Sequence, residues 1–215
     1  MIVVPFILIV VVAYLLGAIP SGVIVGKVAR GIDVRKYGSG SMGSTNVLRT
    51  VGKKAGLVVL FADVLKGAAA VALAWPIFHW FNAAPGMVEW GRMAGGVAAV
   101  IGHSWPVYVG FRGGRSINVA FGAIMAMSWY TGLILVPVFF ITLAVSRYIS
   151  LSSILTALAL IIATIPFVIW GGEPFAYLVF ALVAVPLVIF RHRGNIKRLI
   201  SKTEPKIGQK AKKTT

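Results

Sequence analysis

The chain reads as an all-α polytopic membrane protein with seven transmembrane helices, its N-terminus outside and its C-terminus cytoplasmic. Three observations predict this. Of its 215 residues 59% are hydrophobic and 12% charged, about half the charged share of a soluble domain. Apolar runs near the ~20 residues needed to cross a bilayer recur along the chain. Nineteen of the 21 Lys and Arg residues fall in four short segments between those runs, as the positive-inside rule leaves them.

The elements follow in order. The apolar segment 2–26 has no basic residue ahead of it, and Lys27 and Arg30 lie behind it, so it reads as a retained helix rather than a leader. The first loop, 27–54, carries seven basic residues against one acid, Asp33. A second helix covers 55–82. The connection 82–91 holds Pro85 and Glu89 and reads as external. The third helix, 92–110, runs into Arg112 and Arg115. The stretch 117–146 is too long for one ordinary span, and Ser128-Trp-Tyr-Thr-Gly132 offers a break into a short fourth helix and a fifth ending before Arg147. Without that break Arg112 and Arg147 would lie on opposite sides. A sixth helix at 154–170 leads into the turn Gly171-Gly-Glu-Pro174, and a seventh at 175–190 leads into basic residues. Trp and Tyr near the proposed ends, such as Trp75, Trp105, Tyr148 and Trp170, suit interfacial anchoring. No linker divides the chain. Residues 1–198 read as a single seven-helix membrane domain with its site at the cytoplasmic face, and 199–215 as a basic cytoplasmic tail.

The net charge of +16 does not indicate nucleic acid, because no soluble basic domain carries it. Basic loops instead meet anionic headgroups of membrane lipid. The sequence contains no cysteine, which excludes disulfides and thiolate metal sites. Neither a metal nor a cofactor is expected, since no H-E-x-x-H and no carboxylate cluster occurs.

Chemistry concentrates at the basic end. Gly38-Ser-Gly-Ser-Met-Gly-Ser-Thr-Asn-Val-Leu-Arg49 is a glycine and hydroxyl cluster closed by an arginine. Glycines let backbone N–H groups turn toward an anion, and a guanidinium adds a planar clamp. The first six residues match G-x-G-x-x-G, but that fingerprint needs a strand before it and a parallel sheet around it. The run also resembles a P-loop, yet Ser44 stands where the lysine belongs. What survives is a phosphate cradle. Gly110-Phe-Arg-Gly-Gly-Arg-Ser116 is a second such loop on the same face. Arg147-Tyr-Ile-Ser-Leu-Ser-Ser153 adds a cation and three hydroxyls. Arg191-His-Arg-Gly-Asn-Ile-Lys-Arg198 contains His192 and Asn195, which contact with lipid does not require. Asp63 and Lys66, three apart on an apolar helix, read as a buried pair, and His103 as a neutral packed histidine.

Taken in order, the first loop, Gly102-His-Ser-Trp-Pro-Val-Tyr-Val-Gly-Phe-Arg-Gly-Gly-Arg115, Arg147-Tyr-Ile-Ser-Leu-Ser-Ser153, His192-Arg-Gly-Asn195 and Thr203-Glu-Pro-Lys-Ile-Gly208 resemble the bacterial acyl-phosphate:glycerol-3-phosphate acyltransferase family (PlsY-type) over nearly the entire chain. The resemblance implies a multi-pass enzyme of the bacterial cytoplasmic membrane. It would pass a fatty acyl group from acyl phosphate to the 1-hydroxyl of glycerol 3-phosphate, giving lysophosphatidic acid and phosphate. It implies Ser39, Arg49, His192 and Asn195 as catalytic residues. Gly40, Gly43, Thr45, Asn46, Gly113, Gly114, Arg115 and Ser150 would bind substrate and phosphate, and Glu204 would order the tail. The enzyme that makes acyl phosphate is an implied partner. His192 and a substrate phosphate both remain open as proton acceptor.

The family's first loop usually reads Gly-Ser-Gly-Asn-x-Gly-Ala-Thr-Asn, whereas Ser41 replaces the asparagine here and Ser44 the alanine. The second usually reads Lys-Gly-Gly-Lys-Gly-x-Ala-Thr, against Arg112-Gly-Gly-Arg-Ser-Ile-Asn-Val119. Gly194 stands where the family often has glutamate. These departures leave a divergent paralogue as one alternative. An organic-anion or phosphate transporter is a second, and it would require polar residues through to the outer face.

Overall fold

The computed structural model describes residues 3–209, and every regular element among them is helical. The first apolar run is two helices, α1 (Val3–Ala18) and α2 (Ser21–Arg30). The expected single helix breaks at Pro20, which lacks the N–H a continuous helix needs. Gly31, left-handed at φ 66°, ends α2 and returns its N–H to Lys27 and Gly26 carbonyls. The segment expected to be a loop then forms a 3₁₀ turn at Val34–Lys36 and the short helix α3 (Ser44–Thr50). Helices α4 (Lys53–Ala72) and α5 (Ala74–Trp80) continue one another.

Helix α6 runs Met87–Ser104, earlier at both ends than the expected 92–110, because Pro106 follows it. Residues 117–146 divide as expected, into α7 (Ile117–Met127) and α8 (Trp129–Ser146), with Ser128 extended between them. Helix α9 (Ile149–Ile169) starts five residues before the expected 154. Ser152 and Ser153 donate to the carbonyls of Tyr148 and Ile149, so these serines join the first turn instead of preceding it. Helix α10 (Phe175–Arg191) bends by 57° into the amphipathic α11 (Arg193–Ile200), which crosses the expected domain boundary at 198.

Four segments are long and apolar enough to cross a bilayer: 3–30, 53–80, 129–146 and 149–169, with the bent α10–α11 pair a fifth. At 11 residues, α7 is about 16 Å long, roughly half a hydrocarbon core. The core lies where α6, α7, α9 and α10 meet, around Val100, Ile124, Phe180 and Ala184. Helices α4 and α7 pack at backbone distance: a Cβ on Gly67 would stand 2.1 Å from the Val119 carbonyl, and one on Gly122 1.9 Å from that of Val64. A smaller core of Val34, Met42, Val47 and Val59 supports the basic end.

Long-range hydrogen bonds gather the basic segments at that end. Arg35, held by Asp33 at 2.8 Å, also donates to the Val109 carbonyl. Arg191 donates to the carbonyls of Gly113 and Gly114 at 3.1 and 3.0 Å. The Ile207 N–H donates to Arg147 and Arg49 to Pro205. Residues 201–209, the first part of the expected basic tail, therefore fold back on the bundle. The expected tail residues 210–215 lie outside the described residues.

Candidate active site

The loop 38–43 rests on α2 at Gly22, where any side chain would collide with the Met42 carbonyl, 1.8 Å from an added Cβ. Asn46 fixes the loop's shape. Its Nδ2 lies 2.8–3.1 Å from the carbonyls of Val34, Tyr37 and Ser41, and its Oδ1 accepts from the Ser39 N–H. The amide is fully used within the loop, so Asn46 shapes the cradle from behind. The first turn of α3 leaves the Ser44 and Thr45 N–H groups without an intrahelical acceptor.

Ser44 and Thr45 line a cavity that also meets Ser39, Gly43, Arg115, Ser150 and His192. A neighbouring open cleft of about 260 Å³ is bounded by Ser39, Gly40, Gly113, Gly114, Arg115 and Asn195. Eleven of the twelve expected site residues thus converge, and Ser39 and Arg115 belong to both spaces. Arg49 is the exception. Its Nη2 donates to the Pro205 carbonyl at 3.0 Å, and it lines a separate cleft on the other side of α3.

Arg115 is half-buried, and burial lowers its pKa to about 10 despite the opposing pull of Glu204, so it stays charged at neutral pH. It forms no hydrogen bond or ion pair with any described residue. The loop carrying it is held from two sides. Arg191 takes the Gly113 and Gly114 carbonyls, while the Gly114 N–H donates to the His103 backbone carbonyl at 3.0 Å. A Cβ on Gly114 would lie 2.0 Å from His103 Nε2, so the ring and the glycine occupy adjoining space that no larger residue could share. Ser116 follows in a left-handed conformation at φ 61°, costly for a side-chain residue. Its hydroxyl compensates by meeting Ser104 Oγ at 2.7 Å and the Val100 carbonyl at 2.9 Å.

His192 caps α10 with its ring buried. Nδ1 lies 2.8 Å from the Val188 carbonyl. This fixes the neutral tautomer with the proton on Nδ1 and leaves Nε2 as an acceptor. Burial, reinforced by the charges of Arg115 and Arg191, lowers its pKa to about 4 against the pull of the Val188 carbonyl. Asn195 donates to Glu204 Oε1 at 2.6 Å, and Arg198 to Oε2 at 2.7 Å. Burial pushes the Glu204 carboxyl up, but contacts from Ser150, Asn195 and Arg198 outweigh it and leave the pKa below the usual value. Ser150 Oγ is buried near Glu204 without hydrogen-bond geometry to any group.

Two cavity residues read from sequence as structural are Asp63 and His103. Asp63 pairs with Lys66 at 2.9 Å, as expected, and accepts from Ser21 at 3.0 Å. His103 Nδ1 stands 3.6 Å from Asp63 and is buried without a hydrogen bond. The signal was present, since ionisable residues in an apolar span mark functional sites by default. Asn118, also in the cavity, donates to Ser44 at 2.9 Å and joins the two loops directly.

The chain is similar to known glycerol-3-phosphate acyltransferases over nearly its whole length. A family model described as glycerol-3-phosphate acyltransferase matches residues 7–202. A glycerol-3-phosphate acyltransferase of Nostoc sp. is 44% identical over 211 residues, covering 94% of this chain and 92% of the relative. One from Bacillus velezensis is 44% identical over 200 residues, covering 93% and 96%. The crystal structure of PlsY (YgiH), an integral membrane glycerol 3-phosphate acyltransferase, in its glycerol 3-phosphate form superposes with a TM-score of 0.83 at 36% identity, covering 94% of this chain and 96% of that one. The lysophosphatidic acid form gives 0.81 at 35% identity, covering 94% and 95%.

Proposed function

The chain belongs to the glycerol-3-phosphate acyltransferase family and is a multi-pass membrane enzyme; on that premise we propose that it transfers a fatty acyl group from acyl phosphate to the 1-hydroxyl of glycerol 3-phosphate, releasing 1-acyl-glycerol 3-phosphate and inorganic phosphate. The single observation that carries the site assignment is Arg115, a charged, half-buried guanidinium without a protein partner, where two glycine loops meet. The solved neighbour's glycerol 3-phosphate and lysophosphatidic acid forms name an acceptor and a product of the same class. The cavity's chemistry is compatible with an acyl-phosphate donor. None of its serine or threonine hydroxyls is hydrogen-bonded to a histidine, so no activated side-chain nucleophile is prepared. A mixed anhydride needs none, because positioning and charge stabilisation suffice.

The acceptor's hydroxyl oxygen bonds to the acyl carbon, and the bond from that carbon to the phosphate oxygen breaks with its electron pair going to phosphate. The hydroxyl proton passes through His192 Nε2 to the leaving phosphate. A ring with a pKa of about 4 holds a proton poorly and hands it on, so His192 acts as a relay and the phosphate is the final acceptor. Arg115 and the Ser44 and Thr45 N–H groups hold the developing phosphate charge, while Ser39, Gly40, Gly43, Gly113 and Gly114 shape its bed. Asn195, braced by Glu204, and Ser150 complete the polar wall. Arg49 supports α3 through Pro205. The acyl chain leaves the cavity past its apolar lining at Ile117 and Ile149 and lies in a groove between helices that is open to the bilayer.

In this reading the bundle crosses the bacterial cytoplasmic membrane seven times, with α7 and the bend at Ser128 forming a shortened fourth span. The N-terminus is outside, and the basic end with the site is cytoplasmic. Asp63, Lys66 and His103 contact one another, Ser21 and the Ile19 carbonyl, a local cluster beside the cavity that supports an enzyme over a transporter. The test is phosphate release from palmitoyl phosphate by purified protein, with acyl-CoA and acyl carrier protein donors run in parallel. Release dependent on glycerol 3-phosphate is expected with acyl phosphate alone. Turnover with a thioester donor instead, or none by folded protein, overturns the assignment.

A further inference from the structure

On the far side of α3 from the catalytic cavity lies a cleft of about 1130 Å³ that the proposed reaction does not use. Arg30, Arg49, Lys53 and Arg147 border it, and no carboxylate lines it. None of the four cations forms an ion pair among the described residues. Arg30 donates to the Thr50 carbonyl and Arg49 to that of Pro205, and a neutral carbonyl does not cancel a charge. Four like charges around one cleft create a field that favours an anion. The floor is apolar, with Ile32, Leu48 and Leu57. From Leu57 an exposed stripe continues along α4 through Phe61 and Leu65, which are 54%, 60% and 65% exposed. The spacing of four residues puts the three on one face, pointing away from the bundle. Cations at a helix end above an apolar stripe match a ligand with a phosphate at one end and acyl chains below it.

We propose that this cleft binds an anionic glycerophospholipid of the surrounding bilayer, its phosphate among Arg30, Lys53 and Arg147 and one acyl chain along Leu57, Phe61 and Leu65. A resident lipid fits better than a substrate because α3 stands between the two spaces. Ser44, Thr45 and Asn46 face the catalytic cavity, Leu48, Arg49 and Thr50 face the cleft, and the two linings share only Ile149. The lipid would brace α3 and residues 207–209 from behind. The inference needs the membrane placement but not the acyl-phosphate donor.

The experiment is native mass spectrometry of delipidated, detergent-purified protein titrated with dioleoyl phosphatidylglycerol, dioleoyl phosphatidylcholine or oleoyl lysophosphatidic acid. The parent protein should retain phosphatidylglycerol at least about fivefold over phosphatidylcholine. An Arg30→Gln/Lys53→Gln variant should lose that preference. Both substituted side chains are exposed and outside the proposed catalytic set, so acyl transfer in lipid-free detergent should match the parent, which also reports an intact fold. Equal retention of the two diacyl lipids, or unchanged preference in the variant, overturns the proposal. If the variant loses lysophosphatidic acid more than it loses phosphatidylglycerol, the proposal is overturned in favour of a product path, because product held in the catalytic cavity does not meet Arg30 or Lys53.

Discussion

The two sides of α3 hold two arginines in opposite conditions. Arg49, on the cleft side, is tied to Pro205 across 156 residues of sequence. Arg115, on the cavity side, has no hydrogen-bond partner in the protein. Both belong to glycine-rich basic loops, and either could hold phosphate by residue type alone. The difference is what the rest of the chain does with each. A guanidinium occupied by a backbone carbonyl holds protein to protein, whereas one kept charged in a half-buried cavity without a partner is available to a ligand.

The sharpest way to break this contrast is to remove each arginine. Arg115→Ala should lower kcat/KM about 10³-fold, the ~4 kcal/mol typical of losing one member of a desolvated charge pair. Arg49→Ala should cost only about 10-fold, through a loosened α3 and tail. Steady-state kinetics in detergent measure both. A larger loss at Arg49 would show that it leaves Pro205 when substrate binds.

Next in size is His192→Asn, which can keep the donor to Val188 while losing Nε2. It should lower kcat about 10²-fold with KM for glycerol 3-phosphate within about threefold. Stability provides a second readout. The folded pKa of about 4 lies below the ordinary 6.5, so the contribution of neutral His192 is complete above pH 6.5 and declines as pH falls toward 4. Substrate-free melting temperatures of the parent should fall across that window. The Asn variant should lose less over it.

Glu204→Gln should have a smaller effect, raising KM about fivefold and costing about 1–2 kcal/mol of stability as the bonds from Asn195 and Arg198 weaken. Its carboxyl lies below the usual value, so its contribution holds above about pH 4.5 and fades on acidification below that. A variant with parental KM and melting temperature would separate the tail from the site.

Much of the architecture was legible because burial in lipid leaves a coarse signature. Long apolar runs, basic ends and the weak point at Ser128 each follow from one-dimensional pattern. The break at Pro20 was equally visible but was overridden by the apolar run around it. Arg49 shows the limit. On α3 it sits one turn beyond Thr45 and Asn46, so its backbone lies on their face, and nothing local reveals that residues 201–209 return to capture its guanidinium. Asn46 shows another. Its residue type suits a phosphate ligand, but three loop carbonyls consume its donors. Asp63 and His103 were recognised as costly in a membrane, yet their place in the cavity depends on how α4 and α6 meet the second glycine loop.

The smallest predicted effect tests the link between the two loops. Ser44 and Asn118 both stand where the resembled family pattern has alanine, and here they bond to each other at 2.9 Å. One departure therefore answers the other: a lone hydroxyl or a lone amide in this half-buried position would lack that partner. Ser44→Ala and Asn118→Ala should each reduce kcat/KM about twofold to fivefold, or roughly 0.5–1 kcal/mol for one neutral hydrogen bond. The double variant should lose no more than either single one, because the second substitution removes a group the first has already orphaned. A double-mutant cycle on kcat/KM measures this as a coupling of about 0.5–1 kcal/mol. Additive losses would mean that Ser44 and Asn118 meet the substrate separately, and that only the backbone contacts around Gly114 and Arg191 hold the loops in register.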